Sequence, residues 1–190
     1  MPLVLPVDYH SFRIISIDPG TLLMGLAFLE VDFHSRKILQ AQAYTWQVEK
    51  LEHVQVLDED IYKPIDIRIQ QIKDNFTAVM QEFRPACVVC ERPFFNSRTP
   101  SAFASILKVL EAVRNCIVHH NAGIPFILLE PMVVKKVVGA ALTSDKSEVT
   151  KGLLAMECLK HLPVYQELPE LPKDATDALA VGVAYLRGDR

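Results

Sequence analysis

Four carboxylates in this sequence stand where acids are rarely comfortable: Asp18, Glu91, Asp174 and Asp177. Asp18 closes the apolar run Ile14-Ile15-Ser16-Ile17, and Glu91 closes Ala86-Cys87-Val88-Val89-Cys90. Short apolar runs of this kind predict buried strands. In open α/β sheets ligands gather beyond the carboxyl ends of the strands, so two acids delivered there can converge. Asp174 and Asp177 lie three residues apart, on one face of a predicted helix, and Ala178, Val181 and Ala184 continue that face. Taken singly, each acid has an ordinary explanation. Asp18 and Glu91 suit strand-ending turns, Asp174 suits a helix N-cap, and Asp177 suits the positive end of the helix. Taken together, crowded and partly buried carboxylates need cations, or a retained proton, to offset their repulsion. Hard oxygen donors select Mg²⁺ or Mn²⁺ over zinc, and no His or Cys residues stand at zinc-finger spacing. Two such ions roughly 4 Å apart can clamp the attacking and leaving oxygens of a phosphodiester. The expected chemistry is phosphodiester hydrolysis with two Mg²⁺ ions per site, Mn²⁺ being able to substitute.

The elements that must position these acids follow from the apolar periodicity. Arg13 to Asp18 predicts a strand stopped by Pro19-Gly20, Met24 to Phe33 a second, and Lys37 to Trp46 a third. Their short connections predict an antiparallel meander. Residues 47 to 63 are ambiguous, and their acidic cluster Asp58-Glu59-Asp60 reads as a solvated loop. After Pro64, the spacing of Ile65, Ile69, Ile72, Phe76, Val79 and Phe83 predicts a long amphipathic helix ending near Arg84-Pro85. Thr99-Pro100 opens another, whose broad stripe of Phe103, Ile106, Leu107, Leu110, Val113 and Ile117 serves one buried face, or that face and a dimer contact. A strand over Pro125 to Leu129, a basic helix over Met132 to Ala140 and a helix from about Ser144 to His161 follow. Pro163 to Lys173 reads as a linker, and a helix from about Asp174 to Leu186 ends the pattern. The class is α/β with a mixed sheet.

Bulk composition narrows the setting. With 190 residues, 50% of them apolar and only 7 glycines, residues 1–190 read as one domain. The four cysteines fall in apolar stretches and suit reduced thiols in a cytoplasmic protein. Cys87 and Cys90 cannot share a ligand, because residues three apart on a strand point to opposite faces. His119-His120 is explained by the dipole at a helix end. No apolar run is long enough for a membrane span, and no membrane partner is expected. The net charge of −3 argues against a nucleic-acid partner, but its distribution does not. Residues 1–91 carry −5 and residues 161–190 carry −2, while residues 92–160 carry +4. A basic middle is what phosphate binding needs, and on charge alone the matter is even.

In motif type and order, over nearly the whole chain, the sequence resembles the RuvC-type Holliday junction resolvases of the ribonuclease H-like superfamily. Ile17-Asp18-Pro19-Gly20-Thr21 with Gly25 is similar to the family's first motif. Cys90-Glu91-Arg92-Pro93-Phe94 is similar to its second, and Asp174-Ala-Thr-Asp177-Ala-Leu-Ala180 to its last. Val134-Lys135-Lys136-Val137-Val138-Gly139 and Asp145-Lys146-Ser147-Glu148-Val149 resemble its two basic motifs. The resemblance implies a ribonuclease H-like fold with a central five-stranded mixed sheet, its first three strands antiparallel, flanked by helices. It implies a homodimer that makes paired nicks across a four-way or otherwise branched DNA junction and leaves 5′-phosphate ends. Asp18, Glu91, Asp174 and Asp177 become metal ligands, and Lys146 joins them as a catalytic residue. Lys135 or Lys136, with Lys146, contacts DNA, and Phe94 stacks on an unpaired base, an interaction worth roughly 1 to 3 kcal/mol. Arg92, Asn96 and Arg98 are candidates for phosphate contacts. The departures are an N-terminal extension over 1–12, a longer segment at 47–63, and Pro93 in the second motif.

Three other readings compete. A nuclease of the same superfamily acting on other branched or hybrid nucleic acids keeps the metal site and changes only the substrate. A non-catalytic junction-binding module would have no need of all four acids. An actin-like ATPase shares the Asp-Pro-Gly-Thr stretch but needs a second, glycine-rich phosphate loop, and the chain contains no Gly-Gly pair.

Overall fold

The structure is a computed structural model that describes residues 10–48, 64–94, 100–141 and 147–188. Five strands form one sheet: β1 (Ser11–Asp18), β2 (Leu23–Asp32), β3 (Ile38–Gln47), β4 (Cys87–Glu91) and β5 (Phe126–Leu129). Their order is β3-β2-β1-β4-β5. β1 pairs antiparallel with β2, and β2 with β3, while β4 runs parallel to both β1 and β5. The meander and the mixed sheet are as the strand pattern predicts.

Helices cover both faces of the sheet at β1 and β4, whose residues are apolar on both sides, while one face of β3 carries Gln40, Gln42 and Tyr44 and stays open. On one side, α1 (Pro64–Phe83) and α2 (Pro100–Asn121) supply Ile72, Phe76, Met80, Val113 and Ile117 to a core with Ile15, Ile17, Val88 and Cys90. On the other, α3 (Pro131–Val138), α4 (Glu148–Leu154), α5 (Pro163–Glu167) and α6 (Lys173–Arg187) pack over Ile14, Leu29, Cys87 and Val89. Cys87 and Cys90 therefore point into different cores, and neither forms a disulfide. Among the described residues, no helix is long and apolar enough to cross a membrane.

The C-terminal third departs from the predicted pattern. The helix expected over 144–161 is shorter: α4 stops at Leu154, and residues 142–146 lie outside the described set. Beyond it, Met156, Leu159 and Leu162 each donate a backbone N–H three residues back, to Leu153, Met156 and Leu159. A succession of such tight turns carries Leu159 and Leu162 into the core, where both are buried. The three-residue spacing of those leucines is shared by an α-helix, so periodicity could not separate the two. The expected linker over 163–173 contains α5, with Pro163 in the first helical turn and Val164 and Leu168 buried. α6 begins one residue early. Pro172 occupies its N-cap position, which places Asp174 in the first turn and excludes the capping role for it.

Candidate active site

Strand parity aims the first two acids. Along β1, Ile15 and Ile17 enter the α1–α2 core, whereas Ile14 enters the core under α6 and Ser16 bonds to α6 itself. Asp18 follows Ser16 by two residues and faces α6 as well. Along β4, Val88 and Cys90 take the α1–α2 side and Cys87 and Val89 the α6 side, so Glu91 also faces α6. The two strands are parallel neighbours with Ile17 opposite Cys90, which sets Asp18 beside Glu91 at their carboxyl ends.

Two glycines and a serine bring α6 onto that spot. Gly25 pairs with Asp18 across β1 and β2, and a Cβ there would lie 1.9 Å from the Asp174 carbonyl oxygen. Only a glycine lets the first turn of α6 approach this closely. Two turns on, a Cβ at Gly182 would lie 2.6 Å from the Ser16 hydroxyl oxygen. That buried hydroxyl donates a 2.8 Å hydrogen bond to the Ala178 carbonyl. The helix is thus fixed with Asp174 and Asp177 over the ends of β1 and β4.

The electrostatics follow from this convergence. Burial, then the charges of Asp177, Glu91 and Asp174, lift the Asp18 carboxyl from an ordinary 3.8 to about 8. Burial and Asp177 lift Glu91 from 4.5 to about 6, although Lys173 and Lys135 pull it down. Lys173 escaped the sequence reading. It opens α6, and its ammonium ion-pairs with Asp177 one turn along. Burial would lower the Lys173 ammonium, yet that hydrogen bond and the charges of Asp177, Asp18 and Asp174 hold it above the usual lysine value. The signal available in the sequence was its i,i+4 spacing to Asp177.

Among the described residues, no three His, Cys, Asp or Glu side chains form a ready-made cation cage, and Lys173 engages Asp177 instead. The donor set nevertheless suits a divalent cation. All four donors are carboxylates, and Asp18, buried among them, feels the negative charges of Asp177, Glu91 and Asp174, which a cation would offset.

A cleft of about 210 Å³ opens beside Asp18 and Glu91, walled by Arg92, Pro93, Phe94, Phe103 and Ile106. Phe94 is 82% exposed, which excludes a core-packing role for it. Arg92 forms a 2.8 Å ion pair with Glu130 at the end of β5, both side chains about half exposed. Of the two lysines of α3, Lys135 is half-buried and its charge reaches Glu91, while Lys136 is exposed. Asn96, Arg98 and Lys146 lie outside the described residues, as does the acidic cluster at 58–60. A larger hollow of about 390 Å³ near Arg13, Tyr44 and Phe83 is lined by none of the four acids.

A central sheet ordered 3-2-1-4-5 with acids at the ends of β1 and β4 and on the last helix defines a ribonuclease H-like protein. Residues 14–185 match the model of the crossover junction endodeoxyribonuclease RuvC family, and the chain belongs to that family. It is 29% identical to the RuvC of Porphyromonas gingivalis over 173 residues, 90% of this chain and 80% of that protein. It is 28% identical to the RuvC of Brevibacillus brevis over 178 residues, 91% of this chain and 90% of that protein. Among solved structures, Thermus thermophilus RuvC in complex with a Holliday junction substrate aligns with a TM-score of 0.64 at 22% identity. That alignment covers 90% of this chain and 91% of the other. The yeast mitochondrial Holliday junction resolvase Ydc2 aligns with the same TM-score at 14% identity, over 94% and 79%. These two likenesses agree in fold.

Proposed function

We propose that this chain is a divalent-metal-dependent endonuclease that resolves four-way DNA junctions, acting as a single catalytic domain over residues 1–190 in a cytoplasmic or organellar setting. The observation that carries the reading is the placement of Asp18 and Glu91 at the ends of neighbouring parallel strands, facing the α6 turn that bears Asp174 and Asp177. Family membership supports the substrate class.

When bound, two Mg²⁺ ions would supply Lewis acidity and a hydroxide nucleophile at neutral pH. Asp18, Glu91, Asp174 and Asp177 would hold them, with Mn²⁺ able to take the same oxygens. Burial of Asp18 between like charges makes the empty carboxylate set unfavourable, so cation uptake is favoured together with loss of the Asp18 proton. Arg92, tethered by Glu130 on the lip of the cleft, offers a planar pair of donors to a phosphate. Lys135 adds positive charge on the Glu91 side. Phe94 projects from the same lip and presents a free ring face for an unpaired base. Lys146 as a catalytic cation, and Asn96, Arg98 and Lys136 as DNA contacts, rest on the family resemblance. So do homodimeric action, paired nicking and 5′-phosphate products.

The test is a cleavage assay titrated with Mg²⁺ on a synthetic four-way junction, run beside linear duplex, a flap and an RNA:DNA hybrid. Selective, metal-dependent cutting of the junction into 5′-phosphate ends is expected. Equal cutting of duplex or hybrid would transfer the reading to another ribonuclease H-like nuclease. Tight junction binding with no cutting in any metal would transfer it to a binding module.

A further inference from the structure

Lys173 is oddly placed for a lysine. It sits in the first turn of α6, where the helix dipole presents positive charge and a cation is disfavoured. Its partner Asp177 lies four residues later, and a base preceding an acid is the weaker orientation of an i,i+4 pair. Local helix physics therefore does not explain the residue. The cluster it faces does: the ammonium pairs with Asp177 and acts on both Asp18 and Glu91.

We propose that Lys173 is a built-in counter-ion, seated on Asp177 in the metal-free protein and displaced from it whenever a divalent cation binds. The inference rests on reading the four acids as a metal site. Exposure decides which partner leaves. The Asp177 side chain is 16% exposed and fixed on a packed helix, whereas the Lys173 side chain is 48% exposed on a flexible four-carbon stem. The lysine swings out and the aspartate stays. In its seated position the ammonium limits repulsion among four acids, so the site keeps its shape without metal. The consequence is a weaker apparent affinity for the cation, because each binding event must break the ion pair.

The test uses the full chain and Mn²⁺, whose unbound signal is counted by electron paramagnetic resonance. Lys173→Gln is expected to bind Mn²⁺ more tightly, by roughly two- to fivefold for a half-exposed pair. It should also melt at a lower temperature than the wild type in chelator. Lys173→Arg, which keeps the charge, should restore both properties. Lysine side-chain NMR on the wild type gives a second readout that does not depend on the stability of Lys173→Gln. The Lys173 resonance, assigned by its loss in Lys173→Arg, should move to the position of a solvated lysine as Mg²⁺ is added. Equal or weaker Mn²⁺ binding by Lys173→Gln, or a Lys173 resonance unmoved at saturating Mg²⁺, overturns the counter-ion role and leaves the metal site standing. A wild type that takes up no Mn²⁺ overturns the metal site and the counter-ion together.

Discussion

Replacing Asp18 by Asn should end catalysis and, in the absence of metal, make the protein more stable. The folded carboxyl titrates at about 8 and the unfolded one near 3.8, because the fold buries it against Asp177 and Glu91. Between those values the folded state holds a proton that the unfolded state has released, so stability falls as pH rises through the interval. The loss begins above the unfolded value and is complete above the folded one. At pH 7 the solution stands roughly three units above the unfolded pKa while the folded carboxyl still holds its proton, a penalty of about 4 kcal/mol. An Asn of the same shape carries no such penalty, but its amide must find partners among carboxylates and lysine. About half the penalty, ~2 kcal/mol, should therefore be recovered, which is about 4 to 8 °C in Tm for a chain of this size. The assay is thermal unfolding of both proteins in chelator at pH 4.5 and pH 8. The gap should be small at the lower pH and full at the higher. Saturating Mg²⁺ should then raise the wild type, by about 2.7 kcal/mol at a hundredfold excess over Kd, and leave the variant nearly unmoved. A variant no more stable than the wild type at pH 8, or a gap of equal size at both pH values, would refute the argument that buried like charges set the cost. The surroundings of Asp18 would then have to be solvated far more than their geometry shows.

Three further outcomes are expected. Glu91→Gln should abolish cutting while junction affinity in a mobility-shift assay changes by less than about threefold, since phosphate contacts come from other side chains. Phe94→Ala should leave Tm unchanged, because the ring is 82% exposed. It should also slow junction cleavage by roughly 5- to 100-fold, the equivalent of one stacked base; unchanged single-turnover rates would remove the stacking role. Gly25→Ala should cost about 3 kcal/mol in denaturant unfolding and most of the activity, because its Cβ would meet the Asp174 carbonyl at 1.9 Å and push α6 off the sheet. Normal Mn²⁺ binding by that variant would show that α6 does not need this contact to position Asp174 and Asp177.

The site illustrates how a stable sheet supports an unstable arrangement of charge. β1 and β4 are buried on both faces, and their apolar packing far exceeds the penalty of two acids at their ends. The strain is confined to the point where the strands stop and solvent begins. That is also where a cation and a phosphate can reach the acids, so the cleft with Arg92 and Phe94 opens beside them.

The sequence by itself determined the strands, the two long helices and the side of the sheet to which Asp18 and Glu91 point. These are short-range properties: a strand's alternation and a helix's 3.6-residue period are written in neighbouring residues, and the parity of Ile14 to Asp18 and Cys87 to Glu91 already aims both acids to one side. Tertiary structure alone decided the rest. The contact between Gly25 and Asp174, and the bond from Ser16 to Ala178 across 162 positions, depend on how α6 lies over the sheet, which no local pattern encodes. The same packing chose Lys135 over Lys136 to face Glu91, broke the expected helix after Leu154 into turns, and turned Lys173 from a surface residue into the cation paired with Asp177. Charges act through space, and only the fold specifies which of them are neighbours.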